Sequence, residues 1–275
     1  MILWRKQASQ KWLAANASRL ELIAGRDLAI IDRPGHARTL VQVTCRTRKK
    51  SAALLRAFGG SAQSLPRNWL ALTQSRQTRA PIRVGRRLLV IDDSTNSPKS
   101  DGKTHLVIPA AGAFGTGEHA TTAMSLRLLE EVARRFPPGW RLLDIGTGTG
   151  ILALAARRLG AGEALGIDID PLAVAHAGQN ARLNHISKAK FLVTDVLRWK
   201  APAHYEVVTA NLFSELLIGA LPRFRRALVK DGYLIVSGIL REQGESVVRA
   251  LHQADFKVET LRRRGKWIAL CCSRD

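Results

Sequence analysis

Residues 142–152 read Leu-Leu-Asp-Ile-Gly-Thr-Gly-Thr-Gly-Ile-Leu, and this stretch decides the fold class. The residues from Trp140 to Ile145 are typical of a buried strand, and apolar residues recur at helical spacing from Ile151 to Leu159. The three glycines therefore lie on a turn from a strand into a helix. Glycine lets the backbone approach a ligand closely, and the first amides of a helix have no partner within it. The pattern indicates a nucleotide-type cofactor site.

A carboxylate follows this turn at the separation that such a site requires. Residues 164–167 predict a second strand, which ends at Asp168, eighteen residues after Gly150. Because parallel strands end at the same edge of a sheet, this strand brings Asp168 to the glycine turn. Its carboxylate can accept both hydroxyl protons of a ribose there. The alternative is a glycine-rich turn of some other α/β protein.

The spacing of the glycines distinguishes between cofactors. A dinucleotide fingerprint, Gly-x-Gly-x-x-Gly, would place its third glycine at position 151, but that residue is Ile151 and the glycine is Gly150. The observed Asp-x-Gly-x-Gly-x-Gly resembles motif I of S-adenosylmethionine-dependent methyltransferases. That resemblance implies that the turn packs against the methionine part of the cofactor. It also implies that Asp144 helps to hold the turn and the amino group of the cofactor.

The chain alternates between strands and helices from Trp140 onward. The alternation predicts a mostly parallel sheet with helices on both faces, one of them beginning at Pro171. The last two apolar segments are predicted to close the sheet as an antiparallel hairpin, which is a hallmark of the methyltransferase fold; the alternative is an ordinary α/β edge. We therefore predict an α/β class I methyltransferase (Rossmann-like) fold with a seven-stranded sheet and an antiparallel C-terminal hairpin. Strands are predicted near residues 140–145, 163–168, 190–194, 205–210, 232–238, 256–260 and 267–272.

The N-terminal part has a different pattern, which predicts a small α+β module. Helices are predicted at 7–24 and 51–58, strands at 28–32 and 39–45, a glycine-rich linker at 59–67, a strand at 82–91 and a loop at 92–103. The chain is thus expected to have three parts. These are a small basic α+β module at 1–60, a linker and connecting segment at 61–104, and the methyltransferase domain at 105–275.

The net charge of +21 is extreme for an enzyme of 275 residues. Residues 1–104 contain 20 Lys and Arg against 6 Asp and Glu, whereas residues 105–275 contain 23 against 16. This excess would attract a phosphate-rich surface such as ribosomal RNA, with an affinity that falls steeply with salt. The alternative is the arginine-rich usage of a high-GC genome, with charge that is merely solvated.

Other features of the composition bound the class of protein. The sequence contains no run of eighteen uncharged apolar residues, and residues 1–6 are too short for the apolar region of a signal peptide, so we expect a cytoplasmic protein without a membrane segment. Cys45, Cys271 and Cys272 lack metal-ligand spacing and are expected to be ordinary residues of a reduced protein. No metal site is predicted.

The stretch from Pro109 to Thr122 is a second block with chemical content. Its glycines would let the backbone pass close to a ligand, and Phe114 could face a sulfonium cation. The hydroxyls of Thr121 and Thr122 could reach a carboxylate of the cofactor or cap the following helix. Glu118 and His119 are neighbours without further ligands at metal spacing, so we do not assign them to a metal.

Two residues at predicted strand ends complete the candidate site. Asp195 is placed where methyltransferases contact the adenine amine, or it caps a loop. Asn211 ends the fourth strand beside the expected cofactor methyl, and residues 211–213 read Asn-Leu-Phe. Methyltransferases of planar base or glutamine amides usually carry Asn-Pro-Pro followed by Tyr or Phe at this place. The absence of the prolines argues against a base amine and leaves other amines open.

These blocks together resemble the PrmA family, the methyltransferases of large-subunit ribosomal protein eleven. The resemblance covers about residue 105 to the end, and the Phe-Gly-Thr-Gly-x-His-x-Thr-Thr pattern is specific to this family. It implies cofactor contacts at Thr122, Gly146, Asp168 and Asn211, with Asn211 also the catalytic candidate. Phe114, Gly148 and Asp144 are further candidates for cofactor binding. The blocks are residues 113–122, 143–152, 166–171, 210–212 and 237–240.

The resemblance implies an S-adenosylmethionine-dependent protein N-methyltransferase that methylates lysine or α-amino groups of a ribosomal protein. We expect the protein to be a monomer. In the family, a ferredoxin-like N-terminal module recognises the substrate protein. Here residues 1–60 are short, very basic and only loosely similar, so the substrate stays open. One alternative is a methyltransferase of another protein or of RNA. Another is a ribosome- or RNA-binding protein that keeps the fold without catalysis.

Overall fold

The structure of the protein is a computed structural model. It describes residues 2–24, 27–31, 38–45, 47–64, 81–92, 104–109, 117–201 and 204–274. The chain forms two compact units, Met1–Arg76 and Gln77–Asp275. The division into parts at residues 60 and 104 stays a prediction.

The first unit contains a four-stranded antiparallel sheet in the order β2-β3-β1-β4. Its core consists of apolar side chains on the inner face of the strands and helices, among them Trp4, Val43 and Leu54. Thr47 caps the second helix, because its hydroxyl accepts a hydrogen bond from the Lys50 amide at 3.2 Å. The elements are β1 (Ile2–Ala8), α1 (Gln10–Ala24), β2 (Leu28–Ile31), β3 (Thr39–Cys45), α2 (Arg48–Phe58) and β4 (Ser61–Ser64).

Three predictions for residues 1–91 were wrong. Gln7 and Ala8 end strand β1, which we did not predict, and do not begin a helix. The expected linker at 59–67 contains β4, whose four side chains are all exposed and whose backbone pairs with residues 2–5. Residues 82–91 form two strands with a turn between them, not one strand. Strand β4 in particular leaves no apolar pattern in the local sequence, because all four of its side chains are exposed.

The second unit begins with a small sheet of three strands, β5 (Ile82–Val84), β6 (Leu88–Ile91) and β7 (Thr104–Val107). A buried carboxylate joins this sheet to helix α3 (Ala120–Ala133). Glu130 on α3 is 1% exposed and accepts hydrogen bonds at 3.0 Å from the amides of Arg86 and Arg87 in the β5–β6 turn. A Cβ on Gly85 would overlap this carboxylate. The glutamate therefore fixes the turn on the helix.

The main sheet has seven strands in the order β10-β9-β8-β11-β12-β14-β13. The first five are parallel, whereas β14 is antiparallel to both β12 and β13. This sheet confirms the predicted class I fold and its C-terminal hairpin. The strands are β8 (Arg141–Ile145), β9 (Glu163–Asp168), β10 (Ala189–Val193), β11 (Tyr205–Asn211), β12 (Leu228–Leu240), β13 (Phe256–Arg264) and β14 (Trp267–Arg274).

Helices cover both faces of the main sheet and enclose two apolar clusters. Helices α3 and α4 (Ile151–Arg158) contribute to the cluster on one face, whereas α6 (Ser214–Ala227) and α7 (Gly244–Gln253) contribute to the cluster on the other. Helix α5 (Pro171–Leu183) connects β9 to β10. Strand order reverses between β8 and β11, and open α/β sheets bind ligands at the carboxyl ends of strands beside such a point. In the described ranges, no helix has the length and apolar character that crossing a membrane requires.

Candidate active site

The glycine turn joins β8 to α4, as the sequence predicted. Gly146, Gly148 and Gly150 have φ angles of 70°, 54° and 78°, a region that other residues rarely adopt. The Gly146 amide continues the β8–β9 pairing by donating to the carbonyl of Ile167 at 2.9 Å. The turn thus lies at the carboxyl edge of the sheet, with its backbone fixed to the neighbouring strand.

Asp144 lies beneath this turn and is 1% exposed. Its Oδ2 accepts a hydrogen bond from the Thr147 hydroxyl, and its Oδ1 accepts one from the Thr209 hydroxyl, both at 2.7 Å. Thr209 belongs to β11, so the carboxyl group connects the turn to the strand across the switch point. The predicted role in holding the turn agrees with these contacts, whereas contact with a cofactor stays a prediction.

The environment of Asp144 disfavours its charged form. Burial raises the pKa of this carboxyl to about 6, and the neighbouring Asp168 carboxylate adds to the increase, whereas the hydrogen bonds from Thr147 and Thr209 oppose it. Because the folded-state pKa is above the ordinary value of 3.8, Asp144 stabilises the fold most at low pH. That contribution is lost as the pH rises through about 6.

Replacing Asp144 by asparagine is expected to remove this pH dependence. A pKa difference of about two units corresponds to roughly 3 kcal/mol between the two protonation states. The difference in the free energy of unfolding between the wild type and Asp144→Asn should therefore fall by about 2 to 3 kcal/mol between pH 4 and pH 7. Urea unfolding followed by circular dichroism measures both proteins, and parallel pH curves would contradict the raised pKa.

Asp168 ends β9 next to the turn, so the structure confirms that the two parts of the motif meet. Its Oδ2 accepts a hydrogen bond from the Gly148 amide at 2.9 Å, and its Oδ1 accepts one from the Asp170 amide at 3.1 Å. The side chain is only half-buried, and each oxygen keeps a lone pair for a ligand. Asp170 caps α5 through the Leu172 amide, and Pro171 occupies the first turn as predicted.

Asn180 on α5 and Asn184, which directly follows α5 as its C-cap, support the site, and neither was predicted. Asn180 donates from Nδ2 to the carbonyl of Thr149 at 2.9 Å and so holds the glycine turn. Asn184 is 3% exposed and pairs with both backbone groups of Val107, at 2.7 Å each. Amides four residues apart on the buried side of a helix are an available signal for such a role, because a buried amide needs polar partners.

Asn211 ends β11 and contacts the start of α3. Its Nδ2 donates to the hydroxyl of Thr121 at 3.3 Å, and the backbone carbonyl of Thr121 accepts a hydrogen bond from the Ser237 hydroxyl at 3.4 Å. The Thr121 hydroxyl and Nδ1 of His119 are 2.7 Å apart. Three segments of the chain therefore converge at Asn211.

The surroundings of His119 disfavour its charged form. Burial lowers its pKa, and the positive charges of Lys266 and Arg264 lower it further. Its ring packs edge-on against Trp267, with the ring centroids 5.1 Å apart. Because the Thr121 hydroxyl accepts a hydrogen bond from Asn211, the hydroxyl proton of Thr121 is free to be donated to Nδ1 of His119. The network then runs in one direction, from Asn211 through Thr121 to His119.

Thr122 has a buried hydroxyl that makes no hydrogen bond to any part of the chain that the structure describes. Such a group normally has a hydrogen-bond partner, so a ligand at this edge would supply one.

The remaining predicted site residues contribute less. Asp195 accepts a hydrogen bond from the Leu197 amide at 2.8 Å and therefore caps its own turn. Phe114 lies outside the described residues. Among the described residues, no three His, Cys, Asp or Glu side chains are grouped for a metal ion.

Comparison with known proteins gives one consistent family. Residues 44–275 match the family model described as Ribosomal protein L11 methyltransferase (PrmA). The chain is 39% identical over 190 residues to the ribosomal protein L11 methyltransferase of Pelotomaculum thermopropionicum, which covers 69% of this chain and 61% of that protein. It is 36% identical over 222 residues to the enzyme of that name from Pelobacter propionicus, covering 77% and 71%.

Among solved structures, the chain resembles a ribosomal protein L11 methylase from Lactobacillus delbrueckii subsp. bulgaricus. The TM-score is 0.65 at 30% sequence identity, and the match covers 72% of this chain and 100% of that one. In the alignment with the Pelotomaculum protein, the chain spans about three fifths of that relative's length.

Proposed function

Since the chain belongs to the ribosomal protein L11 methyltransferase (PrmA) family, we propose that it transfers methyl groups from S-adenosylmethionine to amino groups of ribosomal protein L11. The acceptors are lysine side chains or the α-amino group. One observation carries this proposal: Asp168, the glycine turn and the Asn211–Thr121 pair lie at the same edge of the sheet, on either side of its switch point.

The residues at this edge fit the cofactor. Asp168 is half-buried with acceptor capacity left for the ribose hydroxyls, and the unpartnered Thr122 hydroxyl suits the cofactor carboxylate. A Cβ on Gly146 would lie 2.6 Å from Cδ2 of Leu212, so a residue with a side chain at position 146 would displace the Leu212 side chain. When bound, S-adenosylmethionine supplies a methyl group on a sulfonium centre, ready for direct transfer.

The acceptor amine must lose its proton before it can attack. Asn211 donates through Nδ2 to Thr121, which leaves its Oδ1 to accept a hydrogen bond from the amine and orient the nitrogen lone pair. Arg264 and Lys266 lower the pKa of His119, and they act in the same direction on an ammonium group that enters beside it. Alignment of the neutral amine then provides much of the acceleration.

Intact mass spectrometry of recombinant ribosomal protein L11 tests the proposal. Incubation with the enzyme and S-adenosylmethionine should add whole methyl groups, and peptide mapping should place them on lysine or the α-amino group. Parallel reactions with tritiated cofactor, dissociated ribosomal proteins and ribosomal RNA locate the label. Label in RNA or in another protein would replace the proposed acceptor, and cofactor binding without any transfer would favour a protein that has lost catalysis.

Asn211→Ala is expected to lower kcat about tenfold, because loss of one hydrogen bond of roughly 1.4 kcal/mol in the transition state has that effect. Cofactor affinity should fall less than kcat. Thr121→Val keeps Asn211 but removes the hydroxyl that holds it, so kcat should fall by a smaller factor. Steady-state kinetics with both substrates gives these values, and an unchanged kcat in Asn211→Ala would remove Asn211 from the mechanism.

Three further properties belong to the same proposal. The charge of residues 1–104 supports contact with ribosomal RNA. A ribosomal protein as substrate supports action in the cytoplasm. We also propose that the protein acts as a monomer, which sedimentation equilibrium would test.

A further inference from the structure

A groove of about 430 Å³ lies beside the C-terminal hairpin, outside the site described above. We call it the arginine groove. Its walls come from the 3₁₀ turn Arg241–Gln243, from α7 and from the hairpin strands. Three arginines and an apolar floor line it, namely Arg241, Arg249 and Arg263 above Val248, Leu261 and Ile268.

The positive charge of the arginine groove is poorly compensated. Glu245 is the one carboxylate among the lining residues, and it approaches Arg249 only to 4.0 Å with both side chains largely exposed. Such a pair contributes little. Arg241 and Arg263 are exposed and form no ion pair with any described residue. Like charges that line one groove repel one another, and a bound anion would relieve that repulsion.

The positive surface continues over the tip of the hairpin. Arg264 and Lys266 are exposed there, and Lys266 accepts a hydrogen bond on its carbonyl from the Arg241 amide at 2.9 Å. Both side chains lie near enough to His119 to lower its pKa. The basic strip, defined as Arg249, Arg241, Arg263, Arg264 and Lys266, therefore runs from α7 around the hairpin towards His119.

We propose that the arginine groove and the basic strip bind the phosphate backbone of RNA. Four of the five cations are arginines, whose planar guanidinium groups bind phosphate in a bidentate manner. Their distribution over both sides of the hairpin suits a polymer with repeated charges better than one or two carboxylates. Charged residues often protect an edge strand such as β13, but this does not explain Arg241 and Arg249, which belong to other elements.

The lining of the groove also indicates how RNA binds. Val248 and Leu261 offer aliphatic surface to ribose, whereas no aromatic side chain is among the lining residues. Without aromatic stacking or a base-reading pattern, binding depends mainly on the backbone and little on sequence. The residues of this surface belong to 241–266 and not to the basic segment 1–104, and RNA binding there does not depend on methyl transfer.

Fluorescence anisotropy with a labelled oligouridylate tests the proposal on the full chain, without cofactor or protein substrate. The variant Arg241→Glu/Arg263→Glu should bind at least about tenfold more weakly than wild type. The slope of the logarithm of its association constant against the logarithm of the salt concentration should be smaller in magnitude by about 1.4, because two phosphate contacts to a single strand are lost. Arg241→Gln/Arg263→Gln should reduce the slope similarly and guards against misfolding caused by the reversed charges.

The matched control is Arg226→Glu/Lys230→Glu, which changes the charge equally at exposed positions near the opposite end of β12. It should keep the wild-type salt slope. Equal losses in the two charge-reversed variants would show that only overall charge matters and would overturn the proposal. Unchanged RNA binding, with a raised KM for ribosomal protein L11 in Arg241→Glu/Arg263→Glu, would also overturn it and assign the groove to an acidic segment of that protein.

Discussion

Asp168→Ala is expected to weaken the binding of S-adenosylmethionine at least about 100-fold. Two hydrogen bonds from ribose hydroxyls to a carboxylate are each worth about 1.5 to 3 kcal/mol, and both are lost together. The Gly148 amide also loses its acceptor, so the glycine turn becomes less well ordered. Isothermal titration calorimetry measures the affinity directly.

Asp170→Ala is the matched control for this variant. Asp170 is an exposed aspartate two residues away, and its side chain caps α5 rather than facing the turn. Its loss should reduce the free energy of unfolding by about 1 kcal/mol and leave the cofactor affinity near that of the wild type. Unchanged affinity in Asp168→Ala would refute the ribose assignment, and equal weakening in both variants would attribute the effect to local unfolding.

Gly238→Ala is expected to reduce the free energy of unfolding by about 3 kcal/mol or more. Gly238 has a φ of 87° at a bulge in β12, and a Cβ there would collide with the carbonyl oxygen of Leu212 and lie 2.9 Å from its carbonyl carbon. Backbone strain contributes about 1 to 2 kcal/mol and displacement of the neighbouring chain about 1 to 3 kcal/mol. Because Leu212 follows Asn211, kcat should fall as well.

Gly265→Ala separates the collision from the strain. Gly265 also has a positive φ, 58°, but a Cβ there meets no atom within 4 Å. It should therefore cost about 1 kcal/mol, and its melting temperature should fall by roughly 2 to 4 °C against about 10 °C for Gly238→Ala. Thermal unfolding by circular dichroism gives both values. Similar decreases in melting temperature for the two variants would mean that the chain at Leu212 moves aside without loss of stability.

The strands of the main sheet were predicted from the sequence much better than those of the N-terminal sheet. Strands buried on both faces appear as continuous apolar runs, so β8, β9 and β11 were predicted to within a residue or so. Strand β4 has four exposed, mostly polar residues, and only its partner β1 makes it a strand. That information comes from a pairing across about sixty residues, which no local pattern contains.

The sequence predicted the candidate ligand-binding residues of the site but not the residues that hold them in place through hydrogen bonds. Spacing within the β8–α4–β9 unit correctly predicted that Asp168 meets the glycine turn, and Asn211 joins them because β11 pairs with β8. The hydrogen bonds of Thr209 and Asn180 were missed, since polar residues inside a buried element have partners on other elements. Those partners depend on tertiary packing.

The clamp between Glu130 and the β5–β6 turn has a consequence for how this sequence can change. The carboxylate occupies the volume that a side chain at position 85 would need. It also accepts hydrogen bonds from the amides of Arg86 and Arg87, which follow Gly85 in the turn. A substitution at Gly85 is therefore tolerated only after residue 130 has become smaller, whereas a smaller residue 130 leaves two amides without an acceptor. The two positions are epistatic: each single change passes through a destabilised protein, and the pair is expected to change together or not at all.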